Sequence, residues 1–94
     1  MRNQFLLDAT LAKKDKLRRT PAGLPVLDLV LSHQSEQGEP LQKVWVEIEA
    51  VAIGALADEM KYIEIGQALS IKGYLNRKHR ATQYLQLHIT QFKI

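Results

Sequence analysis

The stretch Val44-Trp45-Val46-Glu47-Ile48-Glu49-Ala50 has an apolar side chain at every even-numbered position, which indicates a strand with one buried face. Because successive side chains of a β-strand point to opposite faces, we predict that these even-numbered residues face a core. Trp45 then lies on the opposite face, together with Lys43, Glu47 and Glu49. The sequence therefore predicts a tryptophan that is displayed to solvent on the outside of a sheet.

The same alternation is present in two later stretches, residues 68–76 and 84–92. The residues predicted to be buried in them are Leu69, Ile71, Leu75, Leu85, Leu87 and Ile89. The residues predicted to be exposed are Lys72, Tyr74, Tyr84, Gln86 and His88. Two tyrosine rings thus join Trp45 on the solvent side, where aromatic rings can stack on the bases of a single strand. Tyr74 and Tyr84 can equally form a cross-strand pair or part of a dimer surface.

Turn signals and alternation divide the chain into five strands and one short helix. We predict strands over residues 3–12, 25–33, 41–53, 67–76 and 82–94, a polar hairpin loop over 34–40 and a helix over 55–62. This order of elements is that of the five-stranded Greek-key barrel called the OB-fold. The prediction is therefore an all-β protein, a single OB-fold domain over residues 1–94 with one short helix between strands 3 and 4.

Basic residues concentrate in two short segments of a chain whose formal net charge is +3. Residues 13–19 and 77–80 contain eight of the thirteen lysines and arginines and a single acidic residue. They coincide with the strand 1–2 and strand 4–5 loops, which flank the oligonucleotide-binding face of an OB-fold. For residues 13–19, the alternative is a disordered loop that contributes only a diffuse positive field.

The predicted nucleic-acid-binding site combines the exposed rings with these two segments. The basic residues predicted to contact phosphates are Lys13, Lys14, Lys16, Arg18, Arg19, Arg77, Lys78 and Arg80. Trp45, with Lys43 beside it, is predicted to stack on a base. Because phosphates and π-faces are present in every sequence, we expect weak sequence preference and an affinity that falls steeply with salt.

The sequence offers little support for catalysis. Cysteine is absent, which excludes disulfides and cysteine-ligated zinc. The three histidines fall on separate elements, and the five glycines are scattered singly rather than grouped in a phosphate-binding loop. Glu47 and Glu49 share an open strand face that is poorly suited to acid–base chemistry. We expect a protein that is not an enzyme and needs no metal, cofactor or small-molecule substrate.

The chain also lacks sequence signals for membranes and for secretion. No apolar run is long enough to span a bilayer. Residues 1–5 lead directly into a strand pattern, without the apolar stretch and cleavage site of a secretory signal. We therefore expect a cytoplasmic protein that has no contact with membranes.

Several motifs resemble the primosomal replication protein N family of bacteria, and together they cover nearly the whole chain. They are residues 19–27 (RTPAGLPVL), 31–35 (LSHQS), 44–46 (VWV), 71–75 (IKGYL) and 85–88 (LQLH). The resemblance implies an OB-fold homodimer joined largely through its first strands, which binds single-stranded DNA. It also implies a role in replication restart, in which the protein stabilises the primosomal helicase on DNA among other primosome proteins. By position, it implies that Trp45 stacks on bases and that Arg77, Lys78 and Arg80 are the basic residues of the strand 4–5 loop.

Three features depart from the patterns of related proteins. The strand 4–5 loop is short and has no glycine, which reduces its expected reach. Residues 13–19 are unusually basic, which is expected to move DNA contacts toward the strand 1–2 loop. No acidic tail follows the last strand, which argues against the main replicative single-stranded DNA-binding protein.

Two other functions remain open from the residues alone. The first is an OB-fold module that binds RNA, although the aromatic cluster usual on strand 2 of such modules is missing from residues 26–32. The second is a protein–protein adaptor in which Trp45 and the tyrosines form an interface, because the same rings suit proteins and bases.

Overall fold

Main-chain hydrogen bonds join five long strands into a closed barrel. The computed structural model describes every residue, Met1–Ile94. The elements are β1 (Phe5–Lys14), β2 (Arg18–Arg19), β3 (Pro25–Gln37), β4 (Gln42–Ile53), α1 (Ala55–Met60), β5 (Ala68–Arg77) and β6 (Leu85–Lys93). The strands follow the order β1-β5-β6-β4-β3-β2, and additional pairing of β1 with β3 closes the barrel. The predicted all-β OB-fold with one short helix is confirmed, and predicted strands 2 to 5 correspond to β3 to β6.

The core consists of alternate residues of the strands and one face of α1. Its largest fully buried side chains are Leu11, Leu27, Leu31, Met60 and Leu87. Ala57 and Met60 carry α1 into this cluster, where apolar burial holds a helix that is too short to be stable alone. The helix ends at Met60 rather than at the predicted Tyr62, whose side chain is exposed. No helix of the structure has the length and apolar character needed to cross a lipid bilayer.

Strand β1 divides its pairing between two neighbours. Residues 5–10 pair with β5, whereas residues 10–14 pair with β3, and the register shifts around Ala12. A bulge of this kind bends a strand, and so allows it to serve both halves of a small barrel.

His33 bridges the gap that opens where β1 leaves β3. Its Nδ1–H donates to the backbone oxygen of Asp8 at 2.6 Å, and its Nε2 lies 2.7 Å from the hydroxyl oxygen of Ser35. His33 and Ser35 both belong to the motif at residues 31–35. The geometry therefore gives this motif a structural role, which is to fix the point where the two strands separate.

Strands β4 and β6 form the narrowest junction of the barrel. They run parallel and pair only through Ala50 with Leu87 and Val51 with His88. Strands β3 and β4, by contrast, pair continuously from Val26 opposite Ile53 to the far end of their hairpin. At this point the wall of the barrel is therefore joined by only two residue pairs.

The β3–β4 hairpin is longer than predicted. Strand β3 continues to Gln37, so the prediction of a polar loop over residues 34–40 is wrong for its first half, and the turn occupies residues 38–41. Residues 33–37 and 42–46 pair only with each other and form an arm beyond the barrel. Val46, predicted to be buried, is exposed because no other strand pairs with this part of the hairpin.

The start of β6 departs from the predicted alternation. Leu85 was expected in the core but is 54% exposed, because the strand begins there at the edge of the barrel. Gln86 was expected at the surface but is buried. Gln86 lines a groove together with Lys78 of the preceding loop.

Candidate nucleic-acid interface

Trp45 lies on the outer face of the β3–β4 arm, as the alternation predicts. Its side chain is 67% exposed, and the residue directly opposite on β3 is Gln34. The indole Nε1–H donates to the hydroxyl of Ser32 at 3.4 Å, which ties one edge of the ring to β3. The ring faces are left available, and an exposed indole held at one edge is suited to stacking on a base.

The outer face of β3 and β4 carries more negative than positive charge. Lys43 stands opposite Glu36 in the strand register but forms no ion pair. Glu47, Glu49 and Asp28 add further carboxylates to the same face. Positive charge for an anionic partner must therefore come mainly from the loops beside this face.

The first basic loop, residues 15–24, is folded onto the barrel. Arg18 and Arg19 form the short strand β2 against Val26 and Pro25, an element that the sequence did not predict. The Arg18 guanidinium donates to both carboxylate oxygens of Asp28, at 2.7 and 3.3 Å. This hydrogen bonding raises the pKa of Arg18 above its ordinary value. The loop is ordered, so the alternative of a disordered segment is wrong.

Arg19 and Lys16 differ in how firmly the first basic loop holds them. The Arg19 guanidinium donates to the backbone oxygen of Gly23 at 3.1 Å, across the turn that ends the loop. The backbone of Gly23 has a φ of 89°, which glycine adopts without a steric penalty. Lys16 is exposed, and its side chain makes no hydrogen bond or ion pair.

Lys14 contacts a helix end instead of facing the solvent. Its ammonium donates to the backbone oxygens of Lys61 and Ile63, both at 2.7 Å, and its side chain is half-buried. Both carbonyls lie just after the end of α1. The structure therefore gives Lys14 a structural contact with a segment 47 residues away in the chain, and does not place it at the surface where the predicted phosphate contact would be made.

The second basic loop, residues 78–84, closes mainly on itself. The backbone N–H of Lys78 donates to the oxygen of Tyr84 at 2.8 Å. Arg77, the last residue of β5, donates from its guanidinium to the backbone oxygen of Arg80 at 3.1 Å. Lys78 reaches the barrel, where its ammonium lies 3.0 Å from a carboxylate oxygen of Glu49. The Arg80 side chain is exposed and makes no such contact.

A groove of about 280 Å³ lies where the two basic loops meet the outer face of β3 and β4. Its charged lining consists of Lys13, Asp15, Arg18, Asp28, Glu49 and Lys78. Trp45 lies four residues before Glu49 on the same face of β4, a distance of roughly 13 Å along the strand. The structure therefore brings residues of both loops together in one groove, with Trp45 farther along the same surface.

The two tyrosines are exposed but do not pair with each other. Tyr74 stacks on His88, with ring centroids 4.9 Å apart and planes 10° from parallel. The interpretation of Tyr74 and Tyr84 as a cross-strand pair is wrong, because the register places His88 opposite Tyr74 and leaves Tyr84 in the loop before β6. Tyr74 and His88 thus form a separate aromatic pair on the outer face of β5 and β6.

Sequence reasoning missed the acidic partners of the basic residues. Asp28 was given no role, and Glu49 was placed on the outer face and considered for catalysis, yet they bind Arg18 and Lys78. Since Lys78 and Glu49 are 29 residues apart, no local pattern could have revealed that pair. No group of three histidine, aspartate or glutamate side chains is arranged to hold a metal ion.

Comparisons with known proteins agree with the fold. The family described as "Another single-strand binding protein family" matches residues 3–91. The replication restart protein PriB of Nitrosomonas europaea is 34% identical, with 99% of this chain and 88% of that protein covered. PriB of Neisseria gonorrhoeae is 37% identical, with 97% and 92% covered.

Solved structures that are similar to this chain share its fold. PriB from Ralstonia solanacearum superposes with a TM-score of 0.93 at 32% identity, with 99% of this chain and 97% of that chain covered. The single-stranded DNA binding protein from Thermus aquaticus superposes with a TM-score of 0.76 at 26% identity, with 97% and 48% covered.

Proposed function

Because the chain belongs to the PriB family of replication restart proteins, and with it to a family of single-strand binding proteins, we propose that it binds single-stranded DNA during replication restart. The proposed binding surface is the outer face of β3 and β4 together with the two basic loops. The observation that carries the proposal is the exposed ring of Trp45, on the same strand face as the groove where both basic loops meet. An exposed aromatic ring and basic side chains near it are the two elements that binding of an unpaired strand requires.

The proposed mechanism is stacking combined with charge neutralisation. A base stacks on Trp45, which contributes about 1–3 kcal/mol as judged by alanine substitution in proteins of this kind. The proposed phosphate contacts are Lys16, Arg18, Arg19, Lys43, Arg77, Lys78 and Arg80. Tyr74 and Tyr84 are proposed as additional stacking positions at the edge of the surface. No covalent step is involved, and binding releases counterions from the DNA.

The proposal extends to a homodimer and to the primosome. Leu6 lies on the outer face of β1 and is 71% exposed, with Lys72 of β5 opposite it. Burial of this side chain against a second copy would favour association through β1. We place the dimer in the cytoplasm, where it stabilises the primosomal helicase on DNA together with other primosome proteins. Sedimentation equilibrium of the protein alone measures the oligomeric state directly.

The first test is a titration of Trp45 fluorescence with a mixed-sequence single strand of about 30 nucleotides, at several salt concentrations. Trp45 is the only tryptophan, so the signal reports one position. We expect quenching, an affinity that falls steeply with salt, and weaker binding of a duplex of equal length. Competition by RNA of the same sequence distinguishes a DNA-binding protein from an RNA-binding module.

Substitution of Trp45 tests the stacking contact separately. With a labelled oligonucleotide and anisotropy as the signal, Trp45→Ala is expected to weaken binding by about 1–3 kcal/mol. Tyr62→Ala is the matched control, because Tyr62 is an exposed ring that lies after α1 and outside the groove. Equal effects of the two substitutions, or binding without salt dependence, would contradict the mechanism and favour a protein–protein adaptor.

A further inference from the structure

Two basic residues of the proposed DNA-binding surface are already paired with carboxylates of the barrel. Arg18 of the first basic loop binds Asp28 of β3 at 2.7 Å. Lys78 of the second basic loop binds Glu49 of β4 at 3.0 Å. In each pair the base comes from a loop and the acid from the outer strand face, so each loop is tied to the face by one ion pair.

The two carboxylates lie close together on neighbouring strands. Asp28 pairs in register with Val51, and Glu49 pairs with Val30, so the two acids are diagonal neighbours on one face. Both line the groove between the loops. Both ion pairs are open to solvent, and such pairs are weak enough to exchange partners.

A carboxylate and a phosphate offer the same kind of acceptor to these bases. The guanidinium fork binds either anion through two parallel hydrogen bonds, and an ammonium binds either as a point charge. A DNA phosphate that enters the groove therefore competes with Asp28 for Arg18 and with Glu49 for Lys78. The released carboxylates stay in the groove and repel the phosphates.

We propose that Asp28 and Glu49 are internal competitors of DNA, which hold Arg18 and Lys78 while the groove is empty and limit the affinity for single-stranded DNA. The inference rests on the proposed function, because it concerns the same surface. It gives Asp28 and Glu49, which contact Arg18 and Lys78, the role of limiting the affinity.

The competitors also predict a reduced salt dependence. When Arg18 or Lys78 leaves its carboxylate and binds a phosphate, its positive charge was already balancing that carboxylate. The exchange therefore adds little to the net neutralisation of the DNA. Once the carboxylate is removed, the base is free to neutralise a phosphate fully. Each freed base should then steepen the slope of log affinity against log salt by about 0.7.

The test compares Glu49→Gln and Asp28→Asn with Glu47→Gln, using anisotropy of a labelled 30-nucleotide oligothymidylate at several salt concentrations. Glu47 lies on the same face of β4 but forms no ion pair, so its substitution removes the same charge without freeing a base. We expect Glu49→Gln and Asp28→Asn to tighten binding about two- to fivefold more than Glu47→Gln does, the range set by the strength of exposed ion pairs.

A double-substitution cycle shows whether the gain passes through Lys78. In the background of Lys78→Gln, replacement of Glu49 by glutamine should improve binding no more than replacement of Glu47 does. Equal gains from Glu49→Gln and Glu47→Gln in the otherwise unchanged protein would overturn the inference, since only the general field would then matter. A loss of affinity on Glu49→Gln would also overturn it, because Glu49 would then be positioning Lys78 for DNA.

The proposed function fails in a different way. If neither the original protein nor Asp28→Asn/Glu49→Gln binds the oligonucleotide, the DNA-binding function is wrong and the inference falls with it. If the original protein binds with quenching of Trp45 and the variants behave like Glu47→Gln, only the inference is wrong.

Discussion

The first basic loop is folded onto the barrel, whereas the second closes on itself and reaches the barrel face through Lys78. The first forms β2 against β3, and its Arg18 side chain binds Asp28. In the second, the backbone of Lys78 pairs with that of Tyr84, and Arg77 donates to its neighbour Arg80. The two loops have similar charge densities in the sequence but differ in how they are attached to the barrel, the first by strand pairing and Arg18 and the second by Lys78.

This difference shows that the number of basic residues overstates the charge available to a partner. In and beside the first loop, Lys14, Arg18 and Arg19 each have a protein acceptor, and Lys16 does not. In and beside the second loop, Arg77 and Lys78 likewise have protein acceptors, and Arg80 does not. Much of the basic charge of both loops therefore contributes to the fold, and Lys16 and Arg80 are the loop bases left without an acceptor.

The largest effect is expected at Gly73, on one of the two strands that carry the second loop. A Cβ at Gly73 of β5 would collide with the backbone oxygen of His88 on β6. Because neither backbone can move without opening the β5–β6 ladder, Gly73→Ala should lower the free energy of unfolding by about 3 kcal/mol or more. Denaturant unfolding measures this, with Ala68→Gly on the same strand as the control at about 1 kcal/mol or less. Similar losses of stability for Gly73→Ala and Ala68→Gly would mean that β5 and β6 separate easily.

A smaller effect on stability is expected for the lysines of residues 13–19, and it should differ between Lys14 and Lys16. Lys14→Met removes two charged hydrogen bonds to the carbonyls after α1, and should lower the free energy of unfolding by about 1.5–3 kcal/mol. Lys16→Met, at an exposed position without contacts, should change it by less than about 0.5 kcal/mol. Thermal and denaturant unfolding measure both variants. Equal losses of stability would contradict the distinction between Lys14, which is hydrogen-bonded within the fold, and Lys16, which is free.

The smallest expected effect compares one arginine from each loop. Arg80→Gln should reduce the salt slope of DNA binding by about 0.7, because a free guanidinium can neutralise a phosphate. Arg19→Gln should reduce it less, since that side chain is bound to the backbone oxygen of Gly23. Oligonucleotide titrations at several salt concentrations give both slopes. A larger reduction from Arg19→Gln would reverse the proposed difference between the loops.

The sequence predicted the fold because the alternation in the barrel strands is regular. Leu69 and Ile71 are buried as expected, since β5 lies between β1 and β6 in the barrel. The same rule fails at Val46 and Leu85, where the strand extends past its neighbours or begins at the barrel edge. Alternation reports which face a side chain is on, but it does not report whether anything covers that face.

The site was predicted less completely than the fold. The exposure of Trp45 followed from local alternation and is confirmed. The ion pair of Lys78 with Glu49 and the contacts of Lys14 with the end of α1 join residues that are far apart in the chain. Such contacts depend on how the barrel closes, so a count of charges along the sequence could not distinguish structural bases from free ones.

The junction between β4 and β6 contains only two residue pairs. Glu49 precedes Ala50 on the β4 side of this junction, and Lys78 belongs to the loop carried by β5 and β6 on the other side. Their ion pair therefore spans the barrel junction that has the fewest residue pairs. An anion that draws Lys78 away breaks this contact, so occupancy of the surface and the side-chain contacts across the junction are linked through one residue.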